Sequence, residues 1–265
     1  MKKIISSLLT AALSTTAMAS PSPVANSQTY VLVHGAWQAP YVWDAVRNDL
    51  IAKGNKVIVV ELPGHGSDQT LTHTLSMNLY RDKVIEAIDK TTEKVILVGH
   101  SMGGVVVTAV AEKIPAKISK LVYIGAFVPA SGQSLGELAG TDPDSKLGPL
   151  ITQSADKLTL DVKRESLTFL FINDGSAAIK QKVLDNYRPE PAIPFGDKVT
   201  LTKEGFGSVE KAYIKTLQDI VISPGLQDRM IAAAGIKSIY SINTSHSPFL
   251  AQPQQVAELL IKIGQ

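Results

Sequence analysis

Short apolar runs alternate with amphipathic stretches along most of this chain, and that alternation restricts the folds it can adopt. Four early runs are rich in β-branched residues and do not alternate with polar ones: residues 29–33, 56–60, 94–98 and 120–124. Runs of this kind are typical of strands that are covered on both faces. The stretches between them, at residues 42–52, 75–88 and 102–113, have the periodicity of helices. Repeated strand, helix and strand predict an α/β protein with a mostly parallel central sheet and helices on both faces.

The same alternation returns near the end of the chain, after a middle segment in which it is lost. The late pattern predicts two strands and two helices, at residues 212–214, 224–234, 238–242 and 252–263. Residues 129–208 contain many glycines and prolines instead, with one predicted helix at residues 177–184. We interpret this segment as a cap, or lid, inserted into a core formed by residues 28–128 and 209–265.

The first 19 residues have the pattern of a secretory signal peptide. Lys2 and Lys3 precede an apolar run over residues 4–13, which is followed by the small-residue site Ala17-Met18-Ala19. A membrane-spanning helix is the weaker alternative, because the run is interrupted by polar residues and is shorter than the roughly 20 residues that a bilayer requires. We therefore expect export to the bacterial periplasm or the extracellular space, with residues 20–27 as a flexible lead-in to the core.

Composition excludes several classes of protein. The chain has no cysteine, so disulfides, thiolate metal sites and a cysteine nucleophile are excluded. Its 26 Lys+Arg against 24 Asp+Glu give a formal charge of +2. The two lysines of the predicted leader account for this excess, so the rest of the chain has as many basic as acidic residues. The sequence has no basic stripe of the kind that binds nucleic acid and no polybasic patch of the kind that binds membranes. We therefore predict neither nucleic-acid binding nor stable membrane association. Oligomeric state is not predicted.

The stretch Gly99-His100-Ser101-Met102-Gly103 is the strongest indication of chemistry. A G-x-S-x-G string is weak evidence alone, but this one directly follows a predicted strand and directly precedes a predicted helix. That context is typical of a nucleophile elbow, a sharp turn that exposes a serine at a helix N-terminus. Gly99 and Gly103 supply the small neighbours that such a turn needs. We predict that Ser101 is a nucleophile.

A serine hydroxyl needs a base, and the chain has five histidines: His34, His65, His73, His100 and His246. The first two lie beside glycines in turns and are expected to fix those turns by hydrogen bonding. His73 precedes a helix and is expected to be exposed, and the His100 side chain should point away from the elbow serine. His246 follows the last predicted strand, at the sheet edge where the elbow lies, so we predict that it is the base.

The remaining catalytic groups are an acid and two donors for an oxyanion. Asp219 lies after a predicted strand and before His246, which is the position expected of the acid. Asp228 is the alternative, but it falls within a predicted helix and is expected to face solvent. The backbone N–H groups of Met102 and Ala36 are the predicted oxyanion donors.

These motifs together resemble the α/β-hydrolase fold, within it the branch of plant methylesterases, hydroxynitrile lyases and their bacterial esterase relatives. The stretches that carry the resemblance are VLVHGAW (31–37), ELPGHGSD (61–68), VGHSMGG (98–104), VYIGAFVP (122–129), PEPAIPF (189–195), YIKTLQD (213–219) and SHSPFLAQP (245–253). The resemblance covers nearly the whole chain after the leader. It implies a triad of Ser101, Asp219 and His246, in agreement with the assignment above.

Two positions separate the activities of that branch. Its hydroxynitrile lyases carry threonine where this chain has Gly35, and lysine after the catalytic histidine where this chain has Ser247. The site thus lacks the positive charge that a developing cyanide needs, which argues against lyase activity.

The sequence predicts an exported serine hydrolase that cleaves small-molecule carboxylic esters through an acyl-enzyme, with no metal and no organic cofactor. An amidase or lactonase with the same triad remains open, as does a non-catalytic ligand-binding protein of this fold. Five aromatic or apolar residues are candidates for the pocket wall, or alternatively for packing within the cap: Phe127, Leu167, Phe169, Phe171 and Tyr187.

Overall fold

The computed structural model of the protein describes residues 27–265. The predicted leader (1–19) and all of the predicted lead-in except Ser27 lie outside the described residues. Within residues 27–265, no helix is both long enough and apolar enough to cross a membrane.

The strands and helices follow one another as the alternation predicts, with additional elements in the cap. The strands are β1 (Thr29–Val33), β2 (Lys56–Val60), β3 (Val95–His100), β4 (Ile118–Ile124), β5 (Gln133–Ser134), β6 (Ile151–Gln153), β7 (Thr159–Val162), β8 (Glu190–Pro191), β9 (Lys198–Val199), β10 (Lys211–Thr216) and β11 (Ser238–Ile242). The helices are α1 (Asp44–Ala52), α2 (Met77–Ile88), α3 (Gly103–Lys113), α4 (Leu135–Ala139), α5 (Arg164–Ile172), α6 (Ala177–Asp185), α7 (Ile193–Gly196), α8 (Pro224–Ala233), α9 (Pro248–Ala251) and α10 (Pro253–Gly264).

The core is one six-stranded sheet in the order β11-β10-β4-β3-β1-β2, and every neighbouring pair is parallel. The predicted α/β class with a parallel sheet is therefore confirmed. Because the strands are parallel, the chain leaves all six at the same edge, and the loops after β3, β10 and β11 lie along it. These are the loops that contain Ser101, Asp219 and His246.

Both faces of the sheet are covered, as the unbroken apolar runs predict. Successive side chains of a strand point to opposite faces. In β1, Val31 and Val33 belong to a core cluster that includes buried residues of α2, α3 and α8, while Tyr30 and Leu32 belong to a second cluster with α1 and α10. All four side chains are almost completely buried, so a polar residue anywhere in β1 would be costly.

Residues 129–208 contain two small antiparallel sheets, β5-β9 and β6-β7-β8, together with helices α4 to α7. The predicted helix at residues 177–184 corresponds to α6. Helix α5 was not predicted, although its Leu167, Leu170 and Phe171 are buried. It is only nine residues long and lies between loops, where the alternation of strands and helices gives no signal.

Candidate active site

Ser101 occupies a strained turn between β3 and α3. Its φ is +52°, in the left-handed region that residues other than glycine rarely adopt. The packing around the turn leaves no room for larger neighbours. A Cβ added at Gly103 would lie 2.7 Å from the carbonyl oxygen of His34, and one added at Gly99 would lie 2.6 Å from that of Gly103. The two glycines therefore let the elbow and the end of β1 approach closely enough to hold the serine in this conformation.

Asp219 and His246 are hydrogen-bonded to each other, and both side chains are buried. Nδ1 of His246 lies 2.8 Å from Oδ2 of Asp219. Because a carboxylate only accepts, Nδ1 carries the hydrogen, which leaves Nε2 of the neutral ring as the basic nitrogen. Asp228, the alternative acid, lies in α8 with an exposed carboxylate paired to Lys215.

The Asp219 carboxylate is held by three further donors from its own turn. Oδ2 also accepts from the Thr216 hydroxyl at 2.8 Å, and Oδ1 accepts from the amides of Val221 and Ile222 at 2.8 and 3.0 Å. The buried Gln227 in turn bonds Thr216 through both ends of its amide. Four donors on one carboxylate satisfy both of its oxygens and fix its direction.

His100 and His34 have structural contacts, as expected. Nε2 of His100 lies 2.8 Å from the carbonyl oxygen of His246, to which it donates, so this ring holds the loop of the predicted base. Burial and the neighbouring His246 hold the pKa of His100 well below its usual value. Burial, assisted by His65, lowers the pKa of His34 to about 3. Neutral His34 accepts from the Leu62 amide and so joins the loops after β1 and β2.

The two predicted oxyanion donors come from different loops, Ala36 from the loop after β1 and Met102 from the elbow itself. Ala36 and Met102 both line the cavity that Ser101 lines. Among residues 27–265, neither backbone N–H donates a hydrogen bond to another group of the chain. Gly35, the residue before Ala36, packs tightly against the elbow: a Cβ added at Gly35 would lie 2.7 Å from Cβ of Ser101.

The cavity over Ser101 has a volume of about 450 Å³ and lies between the core and the cap. Most of its wall is apolar or small, and much of it comes from α4 and the loop that follows. The lining residues are Ala36, Trp37, Ser101, Met102, Phe127, Leu135, Gly136, Ala139, Gly140, Asp142, Pro143, Ser145, Leu147, Gly148, Pro149, Ile151, Phe195 and Val221. A volume of this size accepts a small organic molecule.

Of the five candidate wall residues, Phe127 alone lines this cavity. Phe169 is half exposed, Leu167 is buried in the core, and the Tyr187 hydroxyl donates to Asp161 within the cap. Phe171 packs between Trp37 and His246, with ring centroids 5.7 and 5.9 Å away. The packing alternative is therefore correct for Leu167, Phe171 and Tyr187, whereas Phe169 is exposed and belongs to neither group. The small residues that form the wall carry no sequence signal of their own.

No hydrogen bond joins the Ser101 hydroxyl to His246 in the described chain. Contacts of this kind are often long without a bound substrate and tighten in the reacting complex. Within residues 27–265, no group of three or more His, Asp or Glu side chains is arranged to hold a metal ion.

Three cap carboxylates contact the loops of this site, and sequence reasoning missed all of them. Asp142 accepts from the Ser223 amide and hydroxyl at 2.8 and 2.6 Å, beyond the Asp219 turn. Asp174 accepts from the amide of Ser245 at 2.9 Å and also from its hydroxyl. Glu190 accepts from the Trp37 amide at 2.6 Å. Asp142 and Asp174 lie in loops and Glu190 lies in a strand of only two residues, and in such segments a sequence pattern does not identify which carboxylate accepts hydrogen bonds from a distant loop.

Comparison with known proteins agrees with the fold and with this geometry. A model described as the alpha/beta hydrolase family matches residues 30–259. The chain belongs to this family. The fold and the resemblance to plant methylesterases that the motifs predicted are confirmed.

Three similar proteins illustrate the relationship. Putative methylesterase 15, chloroplastic, of Arabidopsis thaliana is 30% identical over 255 residues, which cover 91% of this chain and 57% of that protein. This α/β hydrolase thus spans little more than half of that relative's length. The crystal structure of polyneuridine aldehyde esterase superposes with a TM-score of 0.82 at 22% identity, over 91% of this chain and 100% of its own. An extracellular α/β-hydrolase from Paenibacillus species, described as sharing structural and functional homology with tobacco salicylic acid binding protein 2, has a TM-score of 0.78 and 28% identity, covering 89% and 98%.

Buried His65 gives this α/β hydrolase a testable pH dependence. Burial alone would lower the pKa of His65, but the charge of Glu190 and hydrogen bonds to Glu190 and to the Pro63 carbonyl outweigh it, so the pKa is raised. A raised histidine pKa stabilises the folded state fully below the unfolded value of about 6.5, and this contribution is lost as the pH rises through the folded pKa.

Replacing His65→Gln should therefore lower the free energy of unfolding by about 2–4 kcal/mol near pH 6 and by less near pH 9. Urea unfolding of both proteins across that range measures the difference. His73→Gln, at an exposed histidine, is the control and should show no trend. A difference for His65→Gln that stays constant or grows with pH would contradict the charged pair.

Proposed function

We propose that this α/β hydrolase is an exported serine hydrolase that cleaves carboxylic esters. The observation that carries the proposal is the buried Asp219–His246 pair at the sheet edge where the strained Ser101 faces an apolar cavity. The relatives named as methylesterases and esterases support esters as the substrate class.

In the proposed mechanism, Nε2 of His246 removes the Ser101 proton while Oγ attacks the acyl carbon. Asp219 orients the ring and stabilises its charged form without taking the proton. The amides of Ala36 and Met102 donate to the oxyanion of the tetrahedral intermediate, and the N-terminus of α3 adds a favourable dipole. His246 then protonates the leaving alcohol. A water activated by the same ring hydrolyses the acyl-enzyme.

The cavity favours a neutral ester with an apolar group. None of the residues that line it is a lysine, an arginine or a histidine, so it offers no cationic side chain to pair with an anionic substrate, and its one carboxylate, Asp142, is already bonded to Ser223. Ser247, after His246, accepts from the buried Gln38 at 2.9 Å, so a neutral hydroxyl occupies the place of the lyase lysine. This supports hydrolysis over carbon–carbon cleavage.

The triad is tested by Ser101→Ala and by exchanging the two candidate acids. Ser101→Ala should lower kcat on a short-chain aryl ester by at least about 10⁴-fold and abolish labelling by a fluorophosphonate probe. Asp219→Asn should lose about 10⁴-fold because it favours the wrong tautomer of His246.

Asp228→Asn is the matched control and should retain kcat, since its carboxylate is exposed and paired only with Lys215. Full turnover by Ser101→Ala would reject the mechanism, and a reversed result for the two acids would reassign the acid. A wild type without probe labelling or turnover would favour a ligand-binding protein. A panel of esters, lactones and amides then separates esterase from lactonase and amidase.

Gly35→Thr should lower kcat for ester hydrolysis by about 10²–10³-fold. Its side chain would press on Ser101 and displace the Ala36 amide, and losing one oxyanion donor costs about 10²–10³-fold in kcat. Gly35→Ala tests the same contact with a smaller group and should be milder. Gly196→Thr is the control, because no heavy atom lies within 4 Å of a Cβ added there. Steady-state kinetics with thermal unfolding would measure all three, and unchanged kcat in a folded Gly35→Thr would remove the Ala36 amide from the mechanism.

Export is proposed from the leader pattern of residues 1–19. When the full sequence is expressed in a Gram-negative host, the protein should be recovered from the periplasm or medium without residues 1–19. Mass spectrometry should then place its N-terminus near Ser20. Replacing Ala17 and Ala19 with lysine should prevent cleavage, because the small-residue site is lost. Recovery of the wild-type chain in the cytoplasm with residues 1–19 still attached would contradict export.

A further inference from the structure

Glu190 in cap strand β8 is a fully buried carboxylate that contacts the loop after β1. Its Oε2 accepts a hydrogen bond of 2.6 Å from the backbone amide of Trp37. Trp37 directly follows Ala36, whose own amide is the proposed oxyanion donor. The φ of Trp37 is +56°, so this peptide is held in the left-handed region although Trp37 has a large side chain.

A second contact ties the same residue to the same part of the cap. The indole Nε1 of Trp37 donates to the carbonyl oxygen of Leu160 at 3.1 Å. Leu160 in β7 is the direct antiparallel partner of Glu190 in β8. Both N–H groups of Trp37 are therefore held by one cross-strand pair of the cap.

His65 holds the carboxylate in place from the other side. Its Nε2 lies 3.0 Å from both oxygens of Glu190, and its Nδ1 lies 3.0 Å from the Pro63 carbonyl oxygen. A carbonyl and a carboxylate both accept, so the imidazolium form of His65, with a hydrogen on each nitrogen, satisfies all of these contacts, and the pKa of His65 is raised by Glu190. Arg188, next to this pair, donates to the carbonyls of Gly66 and Asp68 in the same loop.

We propose that Glu190 is a positioning residue that holds the oxyanion hole in its active conformation through the Trp37 amide. The inference rests on the proposed function, because it assigns the acceptor that keeps the Ala36 amide in place for the oxyanion. The Ala36 N–H lies in the preceding peptide and shares Cα of Ala36 with the peptide that Glu190 holds, so the bond acts on the donor by fixing the backbone on the far side of that Cα. Rotation of the Ala36–Trp37 peptide is opposed, because it would break the bond to Glu190 and turn the Ala36 carbonyl toward a buried carboxylate, which repels it.

A positioning role has a distinct kinetic signature. The oxyanion forms only in the transition state, so loosening its donors lowers kcat while leaving the KM of a neutral ester nearly unchanged. It also weakens binding of an arylboronic acid, whose tetrahedral adduct with Ser101 places a negative oxygen in the hole. A role confined to cap stability would lower the melting temperature without either effect.

The test compares Glu190→Gln and Glu190→Ala with a matched control in the full chain. Glu190→Gln has the same shape and keeps one acceptor oxygen, so kcat should fall about 10-fold, and Glu190→Ala should lose about 10²-fold. Arylboronic acid affinity should fall in parallel, with KM within about two-fold. Asp197→Asn is the control: this cap carboxylate also accepts a core amide, that of Met77 at 2.8 Å, away from the hole. Its kcat and inhibitor affinity should stay within about two-fold of the wild type.

The outcomes separate this proposal from the proposed function. If the wild type turns over esters and folded Glu190→Gln keeps the same kcat and inhibitor affinity, the role of Glu190 is overturned. The proposed triad is then unaffected. An equal loss in Asp197→Asn also overturns it, because the effect would then follow from any cap–core bond. A wild type with neither ester turnover nor fluorophosphonate labelling overturns both. If Glu190→Ala does not fold, Glu190→Gln alone decides.

Discussion

The close approach of α3 to the end of β1 is the constraint on which the rest of the site depends. Backbone atoms of Val33 and His34 leave no space for a side chain at Gly103, and the turn between β3 and α3 is correspondingly tight. Only in this arrangement does Ser101 adopt its left-handed conformation next to the Ala36 and Met102 amides. Strain of this kind costs on the order of 1–3 kcal/mol and persists only where surrounding packing enforces it. The buried strands β1 and β3 provide that packing.

The second organising feature is a set of four carboxylates that contact the site from both core and cap, of which Asp142, Glu190 and Asp219 are buried and Asp174 is exposed. Asp219 orients His246, while Asp142, Asp174 and Glu190 accept from backbone amides in the neighbouring loops. A hydrogen bond to a charged acceptor contributes about 1.5–3 kcal/mol, more than a neutral one. The loops of the site are thus fixed partly by their own hydrogen bonds and partly by the cap, which is distant from most of them in the sequence.

Local patterns in the sequence were sufficient for the core and its edge. Unbroken apolar runs predicted the strands of the central sheet, and Gly99 and Gly103 marked the elbow because close backbone approach requires glycine. The spacing of Asp219 and His246 after their strands then placed them at one edge. The cap could not be predicted in the same way. Its strands are two to four residues long, and the role of Glu190 depends on Trp37, 153 positions away. Tertiary contacts of that kind produce no periodicity in the sequence. The small residues of the cavity wall, such as Gly136 and Ala139, likewise have no sequence pattern that identifies them.

The three cap carboxylates also restrict how molecules reach Ser101. If the cap swung away as one body, it would break its hydrogen bonds to the loops that contain the proposed oxyanion donor, base and acid in a single movement. The catalytic arrangement would be dismantled each time a molecule entered. Exchange is therefore expected through the mouth of the cavity with the cap still attached. Entry of substrate and release of product then depend on the width of that mouth and not on movement of the whole cap.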